Sequence, residues 1–128
     1  MYPTEQVGQR VTDYSAQRSA PLPKHITDYH EWVMKNQPRF NYMISNFQGQ
    51  CHVFLAHLIG AKRVLEIGVY VGYSSLVWAH AVGQEGKVTG LEFSEEYSQM
   101  AREVFERNGV KNAEVVYGDA LQTYARRH

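Results

Sequence analysis

The stretch Arg63 to Ser75, RVLEIGVYVGYSS, decides how this chain folds. It opens on a short apolar run, Val64 to Ile67, which is bounded by turn residues and is typical of a buried β-strand. Gly68 and Gly72 follow, and an apolar segment continues from Tyr73. The stretch therefore predicts a strand, a turn with permissive backbone and a helix.

The residues on either side extend this alternation of strands and helices. Upstream, Ser45 is the predicted N-cap of a helix that Gly60 ends. Strands joined by helices form right-handed crossovers and a parallel sheet. We therefore expect an α/β, Rossmann-like parallel sheet with helices on its faces, its strands at about 63–68, 87–92 and 113–118 in the order 3-2-1.

Helical periodicity also predicts which side chains enter the core. The helix that Ser45 caps is expected to pack through Phe47, Cys51, Phe54, Leu55, Leu58 and Ile59. Cys51 is accordingly expected to be a small core residue. The helix that Ser94 caps is expected to pack through Tyr97, Met100, Ala101, Val104 and Phe105.

Composition limits the class of protein. The length of 128 residues fits one domain, and 44% apolar with 20% charged residues is ordinary for a globular chain. Thirteen Lys plus Arg balance thirteen Asp plus Glu, so no net charge attracts nucleic acid or an anionic membrane, and a small molecule is the expected ligand. One cysteine, a polar N-terminus and no long apolar run favour the cytoplasm.

The first forty residues differ from the rest. They are polar and aromatic, with two short helices predicted on either side of Pro21-Leu22-Pro23. We expect residues 1–40 to form an N-terminal helical arm or lid and residues 41–128 to form the ligand-binding unit. Aromatic side chains in the arm either pack between subunits or flank a substrate; they are Tyr14, Tyr29, Trp32 and Phe40.

Glu66 is the unexpected residue in the first strand. An ionised carboxylate inside a parallel sheet is costly unless it is paired, for example with Arg63, or faces a cavity. A carboxylate before the turn repels a phosphate group, and Tyr70 and Tyr73 stand where a dinucleotide motif G-x-G-x-x-G has its second and third glycines. The Glu66 carboxylate suits instead a ligand that carries an ammonium and a sulfonium group, as S-adenosylmethionine (SAM) does.

Glu92 ends the second predicted strand. A carboxylate there can accept hydrogen bonds from both hydroxyls of a ribose, whichever nucleoside is bound. The alternative is a solvated acid beside Glu95 and Glu96.

These motifs resemble those of the caffeoyl-CoA and catechol O-methyltransferase-like family of class I, SAM-dependent enzymes. The resemblance rests on residues 64–75 and on four further segments in the family's order: Gly49-Gln50 with the helix after it, Gly60-Ala61-Lys62, the strand from Gly86 to Glu92, and Gly118-Asp119-Ala120. It covers Phe40 to Leu121.

The resemblance implies a set of cofactor-binding residues: Ile44, Glu66, Gly68, Ser74, Glu92, Asp119 and Ala120. Glu66 and Gly68 lie along the methionyl part in this interpretation, and Ser74 binds its carboxylate. Glu92 holds the ribose, and Asp119 with the Ala120 backbone reads the adenine. Ile44 offers only a backbone contact.

The resemblance also implies what this stretch of chain lacks. Family members bind a divalent, Mg-type metal with acidic residues beyond the Gly-Asp-Ala motif, and that metal polarises an oxygen of a small aromatic hydroxyl substrate. No such residues follow here, and none of the six histidines has a metal-ligand spacing. We therefore expect an incomplete methyltransferase fold, the SAM-binding half of an O-methyltransferase, inactive alone and produced by truncation or a split gene. The alternative is a non-catalytic SAM-binding or dimerisation module.

The same expectation bears on association. The first strand is central in a complete fold, so in this chain residues 64–67 present an unpaired apolar edge. A homodimer or higher oligomer is expected.

Overall fold

The computed structural model describes residues 3–125, apart from the side chain of Tyr124. Its helices are α1 (Glu5–Arg18), α2 (Lys24–Asn36), α3 (Asn46–Leu58), α4 (Tyr73–Val82), α5 (Glu95–Arg107) and α6 (Ala120–Ala125), and a short 3₁₀ helix spans Phe40–Tyr42. Its strands are β1 (Arg63–Ile67), β2 (Lys87–Glu92) and β3 (Ala113–Tyr117).

The three strands form one parallel sheet in the order β1-β2-β3, which confirms the predicted order. Glu66 lies beside Gly90, and Gly90 lies beside Val115 in the next strand. Gly68 and Gly118 lie just past the strands assigned to them, because both have positive φ angles that end an extended segment. The carboxyl ends of all three strands therefore meet at one edge of the sheet.

The helices begin at the predicted caps. The Ser45 hydroxyl accepts the Gln48 N–H at 3.1 Å, and the Ser94 hydroxyl accepts the Tyr97 N–H at 3.3 Å. Gly60, with φ +62°, follows α3 in the left-handed conformation. Local capping thus determines where α3 begins and ends and where α5 begins.

The hydrophobic core lies where α4 packs on the sheet and on α2 and α3. Ile26, Tyr29 and Val33 of α2 are buried in it, and the Tyr29 hydroxyl donates to the Val71 carbonyl at 2.7 Å. Part of the predicted arm is thus built into the core. The domain boundary at residue 40 stays a prediction.

The predicted core face of α3 is wrong. The helix packs on α4 through Gly49, Val53 and Ala56, while Cys51 is exposed. The larger apolar side chains of the predicted face are exposed to solvent as well: Phe54, Leu55, Leu58 and Ile59. Close approach of two helices favours small residues, and a Cβ on Gly49 would lie 3.2 Å from the Tyr73 hydroxyl oxygen.

The prediction of a buried first strand is also corrected. Leu65 is 46% exposed and Ile67 is 70% exposed, because no helix of the described residues covers this face of β1. The edge of β1 opposite β2 has no strand neighbour within residues 3–125. No helix in the described part of the chain has the length and apolarity needed to cross a membrane.

Candidate cofactor site

Three residues of the turn between β1 and α4 have positive φ angles: Gly68, Tyr70 and Gly72. Gly68 has φ +83°, and a Cβ placed there would meet nothing within 4 Å, so the backbone faces open space. Gly72 also has a positive φ, +93°, but its missing side chain has a different consequence. A Cβ there would lie 3.0 Å from the Ala101 Cα of α5. Tyr70 adopts φ +54° although it carries a side chain. One glycine thus opens the turn to a ligand, and the other lets α4 approach α5.

Glu92 clamps this turn from the end of β2. Its Oε2 accepts the backbone N–H groups of Val69 at 3.0 Å and Tyr70 at 2.7 Å, and its Oε1 accepts the Ser94 N–H at 2.9 Å. Glu92 as a whole residue is only 8% exposed, which excludes the interpretation as a solvated acid. The turn is therefore held by charge-assisted hydrogen bonds from a neighbouring strand.

Glu66 is half-buried and points toward the start of α4. It accepts a hydrogen bond from the Ser75 hydroxyl. Burial raises the pKa of Glu66 above its ordinary value, the hydroxyls of Ser74 and Ser75 oppose this shift, and the charge on Glu92 adds to it. Its partners are hydroxyls, and no ion pair with Arg63 is present in the described part of the chain. Glu66 therefore has no cationic partner among the described residues, and a positively charged group of a ligand can pair with it.

A cavity of about 150 Å³ opens at this place. Its lining includes four of the predicted cofactor-binding residues: Ile44, Glu66, Gly68 and Ser74. The cavity is also lined by residues for which no binding role was predicted: Tyr42, Met43, His52, Ile67, Val69, Tyr70 and Tyr73. Tyr70 and Tyr73 lie within the quoted motif, whereas Tyr42 and His52 lie upstream of it and gave no signal.

The remaining predicted residues lie elsewhere on the same edge of the sheet. Glu92 reaches the cavity wall through the backbone of Val69 and Tyr70. Asp119 and Ala120 follow β3, outside the cavity lining. The Asp119 carboxylate accepts the Leu121 N–H at 2.9 Å and so caps α6. The Gly118 N–H donates to the Glu92 carbonyl at 2.9 Å, which joins this segment to the end of β2.

A larger open cleft, about 990 Å³, lies at the other end of the sheet, lined by residues around the starts of β2 and β3. Ligands of parallel α/β sheets bind at the carboxyl ends of the strands, so the smaller cavity is the better candidate. Nowhere among the described residues do three or more His, Cys, Asp or Glu side chains come together to hold a metal ion.

Comparison with known proteins agrees with this geometry. Residues 16–126 match the O-methyltransferase family. The chain is 41% identical over 81 residues to a catechol O-methyltransferase of Mycobacterium tuberculosis, covering 62% of this chain and 37% of that one. It is 33% identical over 107 residues to caffeoyl-CoA O-methyltransferase 2 of Petunia hybrida, covering 80% and 41%.

Solved structures give the same result. The S-adenosylhomocysteine-bound methyltransferase PaMTH1 of Podospora anserina superposes with a TM-score of 0.91 at 30% identity, covering 98% of this chain and 55% of that chain. The chain belongs to the O-methyltransferase family. It spans about half the length of that structure and less than half of the two sequence relatives.

Proposed function

We propose that this chain is the SAM-binding half of an O-methyltransferase. The single observation that carries the proposal is the cavity at the carboxyl edge, where Glu66, a carboxylate without a cationic partner among the described residues, shares the lining with the open backbone of Gly68. Drug-sized ligands occupy about 300–1,000 Å³. A cavity of about 150 Å³ therefore suits the methionyl arm, with the nucleoside outside it along the strand ends.

Charge favours SAM over a dinucleotide. Glu66 can pair with the ammonium group of the methionyl arm, and pairing would offset the burial that raises its pKa. A pyrophosphate would instead meet this carboxylate at short range. Gly68 can bring its backbone against the arm because no side chain stands in the way.

Glu92 then has two roles in this proposal. A carboxylate has roughly four acceptor sites, and three are occupied by backbone N–H groups. The remaining site, on Oε1, can accept one ribose hydroxyl, one fewer than the sequence predicted. Asp119 and Ala120 are the proposed adenine contacts, and Ile44 the proposed backbone contact.

Bound SAM supplies an electrophilic methyl group on a sulfonium. The chain's own contribution is to fix the cofactor's position, since alignment of the reacting groups is a large part of such a transfer. The proposed acceptor is the hydroxyl of a small catechol-like aromatic, in keeping with the names of the relatives. The described residues do not fit a divalent metal, so no step is assigned to one.

By itself the chain is proposed to bind cofactor without transferring methyl groups, as a truncated or split enzyme in the cytoplasm. The alternative, a non-catalytic SAM-binding or dimerisation module, is favoured by the uncovered face of β1. Exposed apolar faces with an unpaired edge recruit other chains, so a homodimer or higher oligomer is part of the proposal.

Calorimetric titration tests the proposal. The chain should bind S-adenosylhomocysteine, whereas NAD should give no saturable heat. Incubation with labelled SAM, Mg²⁺ and catechol should give no methylated product. Saturable NAD binding without S-adenosylhomocysteine binding would overturn the assignment, and turnover would show that the described half is sufficient.

A further inference from the structure

His52 of α3 lines the same cavity, although neither the turn motif nor the strand ends contain it. Its ring stacks on the indole of Trp78, with ring centroids 4.4 Å apart and planes 8° apart. Trp78 lies one helical turn after Ser74 on α4. The stack therefore fixes the imidazole on the side of the cavity where α3 meets α4.

One nitrogen of this ring has no partner. His52 Nδ1 is buried and makes no hydrogen bond within the described residues. Burial lowers the pKa of His52 below its ordinary value, so the ring is neutral at pH 7 and carries one N–H donor. A buried ring nitrogen without a partner is costly, and such a group on a side chain that lines a binding cavity is a candidate contact for a polar ligand atom.

Two other hydroxyls of the cavity lining already face polar partners. The Tyr73 hydroxyl donates to Asn46 Oδ1 at 2.6 Å. The Ser74 hydroxyl lies beside Glu66, where it lowers the pKa of that carboxyl. Glu66 suits the ammonium of a methionyl arm, but the carboxylate of the same arm needs donors. His52 is the donor on the α3 side that remains to be used.

We infer that His52 binds the carboxylate of the cofactor's methionyl arm, with its imidazole N–H donating to a carboxylate oxygen. This inference rests on the proposed function and adds a residue to it. The other unpartnered polar group in the cavity lining is the Tyr70 hydroxyl, which lies among the rings of Tyr42 and Tyr97. Tyr70 therefore serves as the comparison residue.

Two probes separate this contact from a structural role. S-adenosylhomocysteine carries the amino-acid arm, and 5′-methylthioadenosine has the same nucleoside and a thioether without that arm. His52→Phe keeps an aromatic ring on Trp78 but removes the donor. A hydrogen bond to a charged partner corresponds to about tenfold in affinity. His52→Phe should weaken S-adenosylhomocysteine binding about tenfold and change methylthioadenosine binding less than twofold.

His52→Asn, which restores an amide donor near the Nδ1 position, should recover part of the loss, and Tyr70→Phe should not discriminate between the two probes. An equal loss for both probes, or no loss in a variant whose far-UV circular dichroism matches the native chain, would overturn the inference. Should His52→Phe fail to fold, His52→Gln, whose longer side chain carries its amide away from the Nδ1 position, replaces it in the comparison with His52→Asn. Binding of neither probe by the unmodified chain would instead overturn the proposed function.

Discussion

Replacing Glu92 by Gln tests the clamp on the turn. The amide oxygen can keep the N–H groups of Val69 and Tyr70, but the amide nitrogen then faces the Ser94 N–H, donor against donor. A hydrogen bond to a charged group contributes about 1.5–3 kcal/mol, and the two retained bonds lose their charge assistance. A neutral group is cheaper to bury, so we expect a net loss near the lower end, about 2 kcal/mol.

Urea unfolding followed by tryptophan fluorescence measures this loss. With an m-value of about 1–3 kcal/mol/M for a small protein, the midpoint should fall by about 1 M. Binding of S-adenosylhomocysteine should weaken about ten- to a hundredfold, because the substitution alters both the hydrogen bonds to the turn and the proposed acceptor for the ribose hydroxyl. Glu96→Gln is the matched control, since Glu96 is an exposed acid in the first turn of α5. A Glu92→Gln variant that matches this control in both midpoint and affinity would refute the clamp and the binding role.

Four further substitutions make three predictions, two about the site and one about association. Gly68→Ala and its control Gly109→Ala each place a Cβ in open space, at φ +83° and φ +63°, so each should cost roughly 1–2 kcal/mol of stability. Only Gly68→Ala should weaken S-adenosylhomocysteine binding in a calorimetric titration. Equal affinities of the two variants would mean that the ligand binds elsewhere. Glu66→Gln should weaken binding yet raise the free energy of unfolding at pH 7. Because burial raises the folded-state pKa of Glu66 above 4.5, ionised Glu66 opposes folding above that raised pKa, and the gain should vanish below pH 4.5; a gain that persists at low pH in urea titrations would contradict this. Leu65→Lys should shift sedimentation equilibrium at low micromolar concentration toward monomer, and a native chain that is already monomeric would contradict the association prediction.

Much of the fold was predictable because its signals are local. Caps at Ser45 and Ser94, glycine ends and apolar runs fix the elements between residues 45 and 117, and the crossover rule gives their order. The face of α3 was not predictable in this way. Periodicity selects the large apolar side chains, whereas α4 contacts the small residues Gly49 and Ala56.

The site was predictable in part for the same reason. Glu66, Gly68 and Ser74 lie within twelve residues of one another and share one cavity. The clamp by Glu92 joins atoms 22 and 23 residues apart, and the stack of His52 on Trp78 joins two helices, so neither leaves a local pattern. Long-range pairs of this kind need the tertiary structure.

Backbone amide NMR during a titration with S-adenosylhomocysteine tests most directly where the cofactor binds. The shifts should be largest at Gly68, Val69, Tyr70 and Ser74, around the cavity at the carboxyl edge, and small at residues 108–112 beside the larger cleft. Shifts confined to that cleft, or none at saturating ligand, would contradict a cofactor site built on the first strand and its turn.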